Sequence, residues 1–344
     1  MSGIYIHIPF CIKKCIYCDF FSSEKTKDFD ICVSQIIGEL KNSLLEEVDT
    51  VYIGGGTPTV LPSFLLCEIL DAVHGVGLTP NAEITVEANP GTVDFEYLAA
   101  LKKHGANRLS FGLQATQARL LKTLGRIHSF EEFKENFCHA RAAGFDNINV
   151  DVMFSLPTQT VADWQETLAE VTALSPEHIS AYSLTPAENT PLWEQLENGI
   201  LTQPDDITDR KMYHSAIKIF SDMGYIHYEI SNFAKRGFES RHNIDCWTMK
   251  PYMGFGAGAH SFDGKARWES GGKKIILSQS DLISEKIILG LRLMCGVCES
   301  EFEPIYGEQI AKLKKDGLLD SQQDRLFLTP FGMDFANRVF MEFL

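Results

Sequence analysis

No stretch of this sequence approaches the roughly 20 consecutive apolar residues that a membrane-spanning helix needs. The N-terminus also lacks the charged segment, apolar run and cleavage site of a secretion signal. Positive charge is scarce, since 31 Lys and Arg face 46 Asp and Glu and the net charge is −15. A sequence-independent hold on nucleic acid or anionic lipid is therefore disfavoured. We expect a cytoplasmic protein without a transmembrane segment, for which peripheral membrane contact stays open.

The nine cysteines are odd in number and lack the spacing of a disulfide framework, which favours a reducing compartment. Three of them, Cys11, Cys15 and Cys18, form a C-x3-C-x2-C run without a fourth cysteine. Three thiolates can hold three corners of a cubane iron–sulfur cluster and leave one iron with an open position. A zinc site and buried free thiols remain alternatives. The run predicts a 4Fe-4S cluster whose fourth iron can bind another ligand.

Short β-branched runs alternate with amphipathic helical patterns through the first half of the chain. Alternating strands and helices imply a parallel sheet, and about six such units predict an α/β fold with an incomplete (β/α)6 barrel, whose ligands gather at the carboxyl ends of the strands. The strand candidates are Ile4–Ile8, Thr50–Ile53, Glu83–Ala88, Arg108–Gly112, Asn147–Phe154 and His178–Leu184. Past the barrel, Tyr225–Phe233 is expected to form one more short strand. The first helix pattern, capped by Asp28 or Asp30, repeats apolar residues three and four positions apart: Phe29, Cys32, Ile36, Leu40 and Leu44.

Glycine and polar residues follow several of these predicted strands. The stretch Gly54-Gly55-Gly56-Thr57 comes after the second strand, where glycine lets backbone groups approach a small zwitterion closely, although it could be only a tight turn. Each polar residue near a later strand end could singly be a surface charge or a helix cap. Because they recur at the expected end of the barrel, we interpret them together as candidate ligand-binding residues: Glu87, Gln114, Arg126 and Asp151.

The residues around the three cysteines resemble the radical S-adenosylmethionine (SAM) superfamily. The flanking Tyr5-x-His7-Ile-Pro-Phe and Tyr17-Cys-Asp-Phe20 are similar to the branch that contains oxygen-independent coproporphyrinogen dehydrogenases and the HemW haem chaperones. In that superfamily the amino and carboxylate groups of SAM chelate the open iron, so the resemblance implies SAM as a second cofactor. Its sulfonium, carboxylate and ribose diol need carboxylates, an amide and a guanidinium in one cleft.

The resemblance implies a role for each candidate residue. Gly55, Gly56 and Thr57 would hold the SAM amino group. Glu87 and Asp151 would take the ribose hydroxyls or nearby polar groups, and Gln114 would take the ribose edge. Arg126 would hold the methionyl carboxylate, Tyr5 would touch the methionyl end, and Tyr17 would pack on the nucleoside.

The stretch Ser240-Arg-His242-Asn-Ile-Asp-Cys246-Trp247 resembles the H-N-x-x-Y-W motif that the HemW branch associates with haem. His242 would supply an imidazole to the haem iron and Trp247 a flat apolar face. Cys246 stands where the family usually has Tyr, either as a second ligand or as a core filler. His242 could alternatively be a hydrogen-bonded histidine that stabilises its turn, with His260 as a reserve haem ligand.

A glycine-rich run follows at Gly254, Gly256 and Gly258. It satisfies G-x-G-x-x-A, but no strand precedes it within a βαβ unit, so we reject a dinucleotide fingerprint. We expect close backbone approach to a flat ligand instead.

Gly271-Gly272-Lys-Lys marks a boundary, so we expect a barrel over 1–235, a connecting segment over 236–280 and a C-terminal unit over 281–344. Helical patterns followed by the strand-like Arg325–Leu328 resemble a winged helix. This unit carries 7 Lys and Arg against 11 Asp and Glu, a net charge of −4, so nucleic-acid binding is not expected. We interpret it as a cap over the barrel mouth or a surface for partners. Cys295 and Cys298 within it could be a redox pair, half a metal site or semi-buried thiols, and we favour the last.

Two functions compete on this evidence. The first is a haem chaperone that hands haem to client proteins and performs no classical substrate turnover, whether or not SAM is cleaved. The second is an oxygen-independent coproporphyrinogen dehydrogenase or related radical SAM oxidoreductase. Those dehydrogenases usually carry a further cysteine where this chain has Phe20, and they tend to be longer before the cysteines. The resemblance therefore favours the chaperone, with haem and haem-accepting proteins as partners.

Overall fold

The computed structural model describes residues 3–24, 28–43 and 45–344. Strands and helices alternate through its first half, as expected. The strands are β1 (Gly3–Ile8), β2 (Val48–Gly55), β3 (Leu78–Ala88), β4 (Arg108–Gln114), β5 (Ile148–Phe154) and β6 (His178–Ser183). The helices are α1 (Phe29–Asn42), α2 (Ser63–His74), α3 (Phe95–Lys103), α4 (Ala118–Leu124), α5 (Phe130–Ala142) and α6 (Val161–Leu174).

Strands β1 to β6 lie side by side in chain order, and every neighbouring pair is parallel. Parallel strands joined by helices form the layered arrangement of an incomplete βα barrel, so the predicted fold class is confirmed. Several boundaries differ from expectation. β2 runs on to Gly55 and includes two glycines assigned to a loop, and β3 begins at Leu78 instead of Glu83.

Helices α1, α2, α3, α5 and α6 cover the outer face of this sheet. The apolar side of α1 is buried at Val33, Ile36 and Leu40, as its spacing predicts. Asp28 occupies the N-cap position of α1 without a side-chain hydrogen bond to the helix, and Leu44, which belonged to the predicted pattern, lies outside the described residues. Successive side chains of β1 point to opposite faces of the sheet. Ile4, Ile6 and Ile8 share the face that packs on the helices and are fully buried in the core.

Further strands extend the sheet at both ends. Its order is β12-β11-β10-β9-β1-β2-β3-β4-β5-β6-β8-β7, with β9 parallel to β1 and β8 antiparallel to β6. The added elements are α7 (Pro191–Glu197), α8 (Asp206–Asp222), β7 (Ile226–Glu229), β8 (Asn232–Ala234), α9 (Arg241–Trp247), β9 (Tyr252–Phe255), β10 (His260–Phe262), β11 (Ala266–Glu269) and β12 (Ile275–Ile276).

These additions correct two details of the sequence interpretation. Tyr225–Phe233 was expected to form one strand, but β7 and β8 form an antiparallel hairpin there. The expected connecting segment 236–280 contributes four strands to the barrel sheet. Two of its glycines lie against protein backbone, since a Cβ on Gly254 would lie 2.2 Å from the His260 carbonyl oxygen and one on Gly256 would lie 2.6 Å from the His7 carbonyl oxygen.

The C-terminal unit has its own core and its own three-stranded sheet, of order β13-β15-β14. Its elements are α10 (Gln279–Gly290), β13 (Val297–Cys298), α11 (Glu299–Lys315), β14 (Leu319–Gln322), β15 (Arg325–Leu328), α12 (Pro330–Asp334) and α13 (Ala336–Met341). Helices packed on a small antiparallel sheet match the winged-helix-like unit that was expected.

We searched the described helices for one that could cross a bilayer. Within that part of the chain, none is both long enough and apolar enough.

Candidate functional site

The three cysteines lie on a loop that follows β1 and closes on itself. The Cys11 N–H donates to the Ser23 carbonyl at 3.0 Å, and the Ser23 N–H donates to the Pro9 carbonyl at 2.7 Å. A turn bond from the Cys18 N–H to the Cys15 carbonyl, at 3.2 Å, brings the second and third thiols together. The loop therefore presents Cys11, Cys15 and Cys18 to one cleft.

Polar groups from three other strands surround the thiols. Thr57 Oγ1 donates to Cys11 Sγ at 3.8 Å, and Arg126 Nη1 donates to Cys15 Sγ at 3.6 Å. Asn89 joins these two residues, because its Nδ2 donates to Thr57 Oγ1 at 2.7 Å and its Oδ1 accepts from Arg126 Nη2 at 2.7 Å. Sequence reasoning missed Asn89, although its position just beyond β3 followed the rule that selected Glu87.

The cleft opens at the carboxyl ends of the strands. Most of the residues predicted from the sequence line it together: Cys11, Cys15, Tyr17, Cys18, Gly55, Gly56, Thr57, Glu87, Gln114, Arg126 and Asp151. The convergence of ligand candidates at this end of the barrel follows from the parallel order of the strands.

Two carboxyl groups line the floor of the cleft. Glu87 accepts from the Tyr52 hydroxyl at 2.8 Å and from the Gly55 N–H at 3.3 Å, while Asp151 accepts from Asn149 Nδ2 at 2.7 Å. Burial, together with the charge of Asp151, raises the pKa of Glu87 to about 7 against the favourable bond from Tyr52. Burial also raises the pKa of Asp151. Such carboxylates are stabilised by a cationic ligand, so their chemistry fits the SAM sulfonium.

Arg126 owes its position to the end of α4. Gly125 has a φ of 78° and terminates this helix, and the Arg126 N–H turns back to the Leu121 carbonyl at 2.9 Å. The Arg126 Nη2 donates to the Gly112 carbonyl at 2.5 Å, whereas its Nε is buried without a partner in the described structure. An unused buried donor beside the thiols fits a carboxylate ligand, which is the group expected here.

Gln114 and Tyr182 form another part of the cleft wall. Gln114 has a φ of 70° at an irregularity in the β4–β5 register, and its Oε1 accepts from the Tyr182 hydroxyl at 3.4 Å. Sequence reasoning missed Tyr182, which ends β6 and could have been found by extending the strand-end rule to the sixth strand.

Gly55 and Gly56, at the end of β2, are needed for close packing within the protein, whereas the sequence predicted close approach of a ligand. A Cβ on Gly56 would lie 2.5 Å from the Phe10 carbonyl oxygen. Gly55 has a φ of 116°, and a Cβ there would lie 2.7 Å from the His7 ring. These glycines thus let the cysteine loop pack against the end of β2, and the same backbone forms part of the cleft wall.

The two tyrosines of the motif have different positions. Tyr17 lines the cleft. Tyr5 is absent from its described lining, and its hydroxyl contacts His7 Nδ1 at 2.9 Å, while His7 Nε2 contacts the Phe21 carbonyl at 2.8 Å. Tyr5 therefore supports the cysteine loop through His7, and its contact with SAM stays a prediction.

His242 lies on α9, inside the protein, and not on an open surface. Its Nδ1 contacts Thr50 Oγ1 at 3.0 Å, and its ring stacks on Tyr52 with centroids 5.3 Å apart. The residue is 6% exposed, and burial lowers the pKa of its imidazole to about 4. His242 is thus a hydrogen-bonded interior histidine in this conformation, which is the alternative left open above, and its role as a haem ligand stays a prediction.

The neighbours of His242 in the motif differ in environment. The Arg292 guanidinium stacks 4.3 Å from the Trp247 ring centre, and the Trp247 Nε1 is buried without a partner in the described structure. Cys246 is half-buried, and burial raises the pKa of its thiol to about 11, which suits a core filler better than a thiolate ligand. His260 is exposed on β10.

Single-ion metal sites were searched among the described residues. No three or more His, Cys, Asp or Glu side chains there converge on one ion. In the C-terminal unit, Cys298 Sγ donates to Asp324 Oδ2 at 3.0 Å and Cys295 Sγ accepts from Arg325 at 3.7 Å, so the two thiols have separate partners.

Comparison with known families agrees with this site. The Radical SAM superfamily model matches residues 5–171, and the HemN C-terminal domain model matches residues 277–335. These matches define a radical SAM protein with a HemN-type C-terminal domain. The heme chaperone HemW of Lactococcus lactis is 35% identical over all of this chain and 97% of its own length, and that of Bacillus subtilis is 34% identical over all of this chain and 99% of its own. The chain belongs to the HemW family.

A solved structure supports the fold independently. Coproporphyrinogen III oxidase (HemN) from Escherichia coli superposes with a TM-score of 0.86 at 22% identity, covering 99% of this chain and 89% of that one. At this identity the likeness establishes a common architecture.

Proposed function

We propose that this protein binds haem and passes it to acceptor proteins, while carrying a 4Fe-4S cluster and SAM in its cleft. One observation carries the proposal: the three thiols of the cysteine loop and the carboxyl, amide and guanidinium groups suited to SAM line a single cleft. The relatives named as heme chaperones match the whole chain, which supports the haem-binding part.

Cys11, Cys15 and Cys18 are the proposed cluster ligands. When bound, the cluster supplies a one-electron donor and an open iron position beside SAM. Burial raises the pKa of the Cys11 and Cys18 thiols, so iron has to displace their protons on binding. The Arg126 Nη1 donates to Cys15 Sγ at 3.6 Å.

The SAM site is proposed at the strand ends around the cluster loop. Arg126 would hold the methionyl carboxylate, and Gly55, Gly56 and Thr57 would line the amino end. Glu87 and Asp151 would face the ribose and the positive charge. Gln114 and Tyr17 would contact the nucleoside. Gln114 and Tyr182, joined by a hydrogen bond, line the same cleft.

Haem is proposed to bind at α9 once this helix moves away from β2. His242 would then supply the iron ligand and Trp247 a flat apolar face. The buried, unpartnered indole Nε1 of Trp247 supports an alternative arrangement of this segment, since a buried donor without an acceptor is costly.

The cytoplasm is the proposed site of action, and haem-accepting proteins are the proposed partners. The nine cysteines all lie within the described residues and are all free, which is the state expected in a reducing compartment. Turnover of SAM is not part of the haem-binding step in this proposal.

The test uses anaerobically reconstituted protein, titrated with haem and, in parallel, incubated with reductant, SAM and coproporphyrinogen. We expect stoichiometric haem binding, followed as a Soret band, and no decarboxylated porphyrinogen. Absence of haem binding would overturn the proposal.

Protoporphyrinogen formation would instead identify the second candidate, an oxygen-independent coproporphyrinogen dehydrogenase. The cleft is compatible with this candidate, because such an enzyme also needs the proposed cluster and SAM sites. Phe20 stands against it, because those enzymes usually have a further cysteine at this position and Phe20 is 66% exposed at the cleft edge.

A further inference from the structure

We infer that Tyr52 couples the SAM cleft to His242, so that SAM in the cleft keeps His242 covered and opposes haem binding. The inference rests on the proposed function, because it takes His242 as the residue that binds haem iron. Tyr52 lies in the middle of β2, between the strand end that forms the cleft and the strand start that contacts α9.

The hydroxyl end of Tyr52 reaches the cleft. It donates to Glu87 Oε1 at 2.8 Å, and Glu87 lines the cleft floor. The other carboxylate oxygen accepts from the Gly55 N–H at 3.3 Å. Any ligand that contacts Glu87 therefore acts on a group already bonded to Tyr52.

The ring of Tyr52 covers His242. The two rings are stacked with an interplanar angle of 29°, and Thr50 Oγ1 holds the imidazole Nδ1 at 3.0 Å. The start of α9 is fixed to the same part of the sheet, because the Arg241 and His242 N–H groups both donate to Glu83 at 3.2 Å. His242 can reach a haem iron only after its ring leaves Thr50 and Tyr52.

The sign of the coupling follows from charge. A sulfonium cation beside Glu87 stabilises the ionised carboxylate, and an ionised carboxylate accepts a stronger hydrogen bond from the Tyr52 hydroxyl than a neutral one does. Tyr52 is then held more firmly over His242, and opening costs more. Because linkage is reciprocal, haem must weaken SAM binding by the same factor.

A second chain of hydrogen bonds joins the cleft to α9 without using Tyr52. Asn149 bonds Asp151 at 2.7 Å and His178 Nδ1 at 2.6 Å. His178 Nε2 accepts from the Tyr228 hydroxyl at 2.8 Å, and this hydroxyl accepts from the Ser240 N–H at 3.3 Å. Removing the Tyr228 hydroxyl interrupts this route alone, so Tyr228→Phe is the natural comparison for Tyr52→Phe.

The experiment titrates cluster-loaded protein with haem, with and without saturating SAM, and omits reductant so that SAM stays intact. We expect SAM to raise the wild-type haem Kd about fivefold, at the lower end of usual coupling. Tyr52→Phe keeps the ring and removes only its bond to Glu87. The ratio of the haem Kd with SAM to the haem Kd without SAM should therefore fall to near one in this variant. Tyr228→Phe should retain the fivefold effect of SAM. Tyr97→Phe should retain it as well, because the Tyr97 hydroxyl donates to the Leu61 carbonyl at 2.7 Å, outside this network.

A second variant tests the closed state of His242 directly. Thr50→Val keeps the side-chain shape and removes the bond to the imidazole, so it should tighten haem binding with or without SAM. Unchanged haem affinity in Thr50→Val, no SAM effect in the wild type, or an equal SAM effect in wild type and Tyr52→Phe would overturn the inference. Failure of the proposed function would give a different result. The wild type would then bind no haem even without SAM, and no effect of SAM on haem binding could exist.

Discussion

At the residue scale, the cysteine loop and the cleft floor depend on a few side chains with opposite needs. The thiols must lose protons to hold iron, although burial raises the pKa of Cys11 and Cys18. Glu87 must stay ionised beside a cation although burial favours its neutral form. These needs lead to two predictions.

Replacing Cys11, Cys15 and Cys18 together with Ala is expected to abolish the cluster and leave a folded protein, because the loop is also closed by backbone bonds to Ser23 and Pro9. Iron and sulfide content and the broad visible absorption of reconstituted protein provide the measurement. The control is Cys138→Ala, which changes an exposed thiol on α5. Iron content equal to that of the wild type would disprove the ligand assignment.

Glu87→Gln is expected to make the cofactor-free protein more stable at pH 8 and to change little at pH 4.5. The pKa of Glu87 is raised from 4.5 to about 7, so wild-type stability falls as pH rises through this window, where only the unfolded state ionises freely. We expect a gain in the free energy of unfolding on the order of 2 kcal/mol at pH 8, measured by urea denaturation.

The matched control for this pH effect is Glu96→Gln, which changes an exposed glutamate on α3. An equal change in stability at both pH values would show that Glu87 does not titrate in this range. SAM binding should weaken in Glu87→Gln at pH 8, where the wild-type carboxylate is ionised and the variant has lost that negative charge.

At the element scale, the end of β2 and the cysteine loop are packed against each other through glycine. Gly56→Ala would bring a Cβ within 2.5 Å of the Phe10 backbone, which cannot move without displacing Cys11. We expect a loss of about 1–3 kcal/mol in the free energy of unfolding, together with reduced cluster content.

Gly38→Ala gives the opposite expectation and serves as the control for Gly56→Ala. Gly38 lies inside α1, and a Cβ there meets no atom within 4 Å among the described residues. Alanine should stabilise this helix by up to about 1 kcal/mol. Denaturation of both variants provides the comparison, and equal effects would refute the packing argument.

At the scale of the whole molecule, a buried ion pair joins the barrel to the C-terminal unit. Glu229 is fully buried at the end of β7, and Arg292, just beyond α10, lies 3.2 Å from its carboxylate while stacking on Trp247. The Ile230 N–H also donates to the Arg292 carbonyl at 3.1 Å. The C-terminal unit is thus bonded directly to the segment that precedes α9.

Arg292→Met is expected to cost about 3–5 kcal/mol in the free energy of unfolding, because it leaves the Glu229 carboxylate buried without its cation. Adding Glu229→Gln to this variant should recover much of the loss. Denaturation of both, with the exposed Arg338→Met as a control, checks the expectation. A single variant as stable as the control would contradict it.

The division into 1–235, 236–280 and 281–344 stays a prediction. The separate sheet and core of the C-terminal unit agree with a boundary near residue 280, whereas β9 to β12 belong to the same sheet as β1. Limited proteolysis of the whole chain provides the direct measurement of where it divides.

By itself the sequence determined the features that depend on neighbours along the chain. Apolar spacing fixes α1, β-branched runs fix β1 to β6, and the order of these elements places their carboxyl ends on one side. The cleft residues could be predicted for this reason, as could the thiol run. Asn89 and Tyr182 obey the same rule and could have been found by applying it to every strand.

Only the tertiary structure decided features that depend on residues far apart in the chain. The residues around His242 in the sequence predict a haem ligand, but in the structure its imidazole is bonded to Thr50, 192 positions away. Tyr5 contacts His7 on the same strand, but this matters because His7 in turn holds the cysteine loop at Phe21. A linear sequence carries no distance between such groups, since only the closing of the barrel brings β2, α9 and the loop into contact.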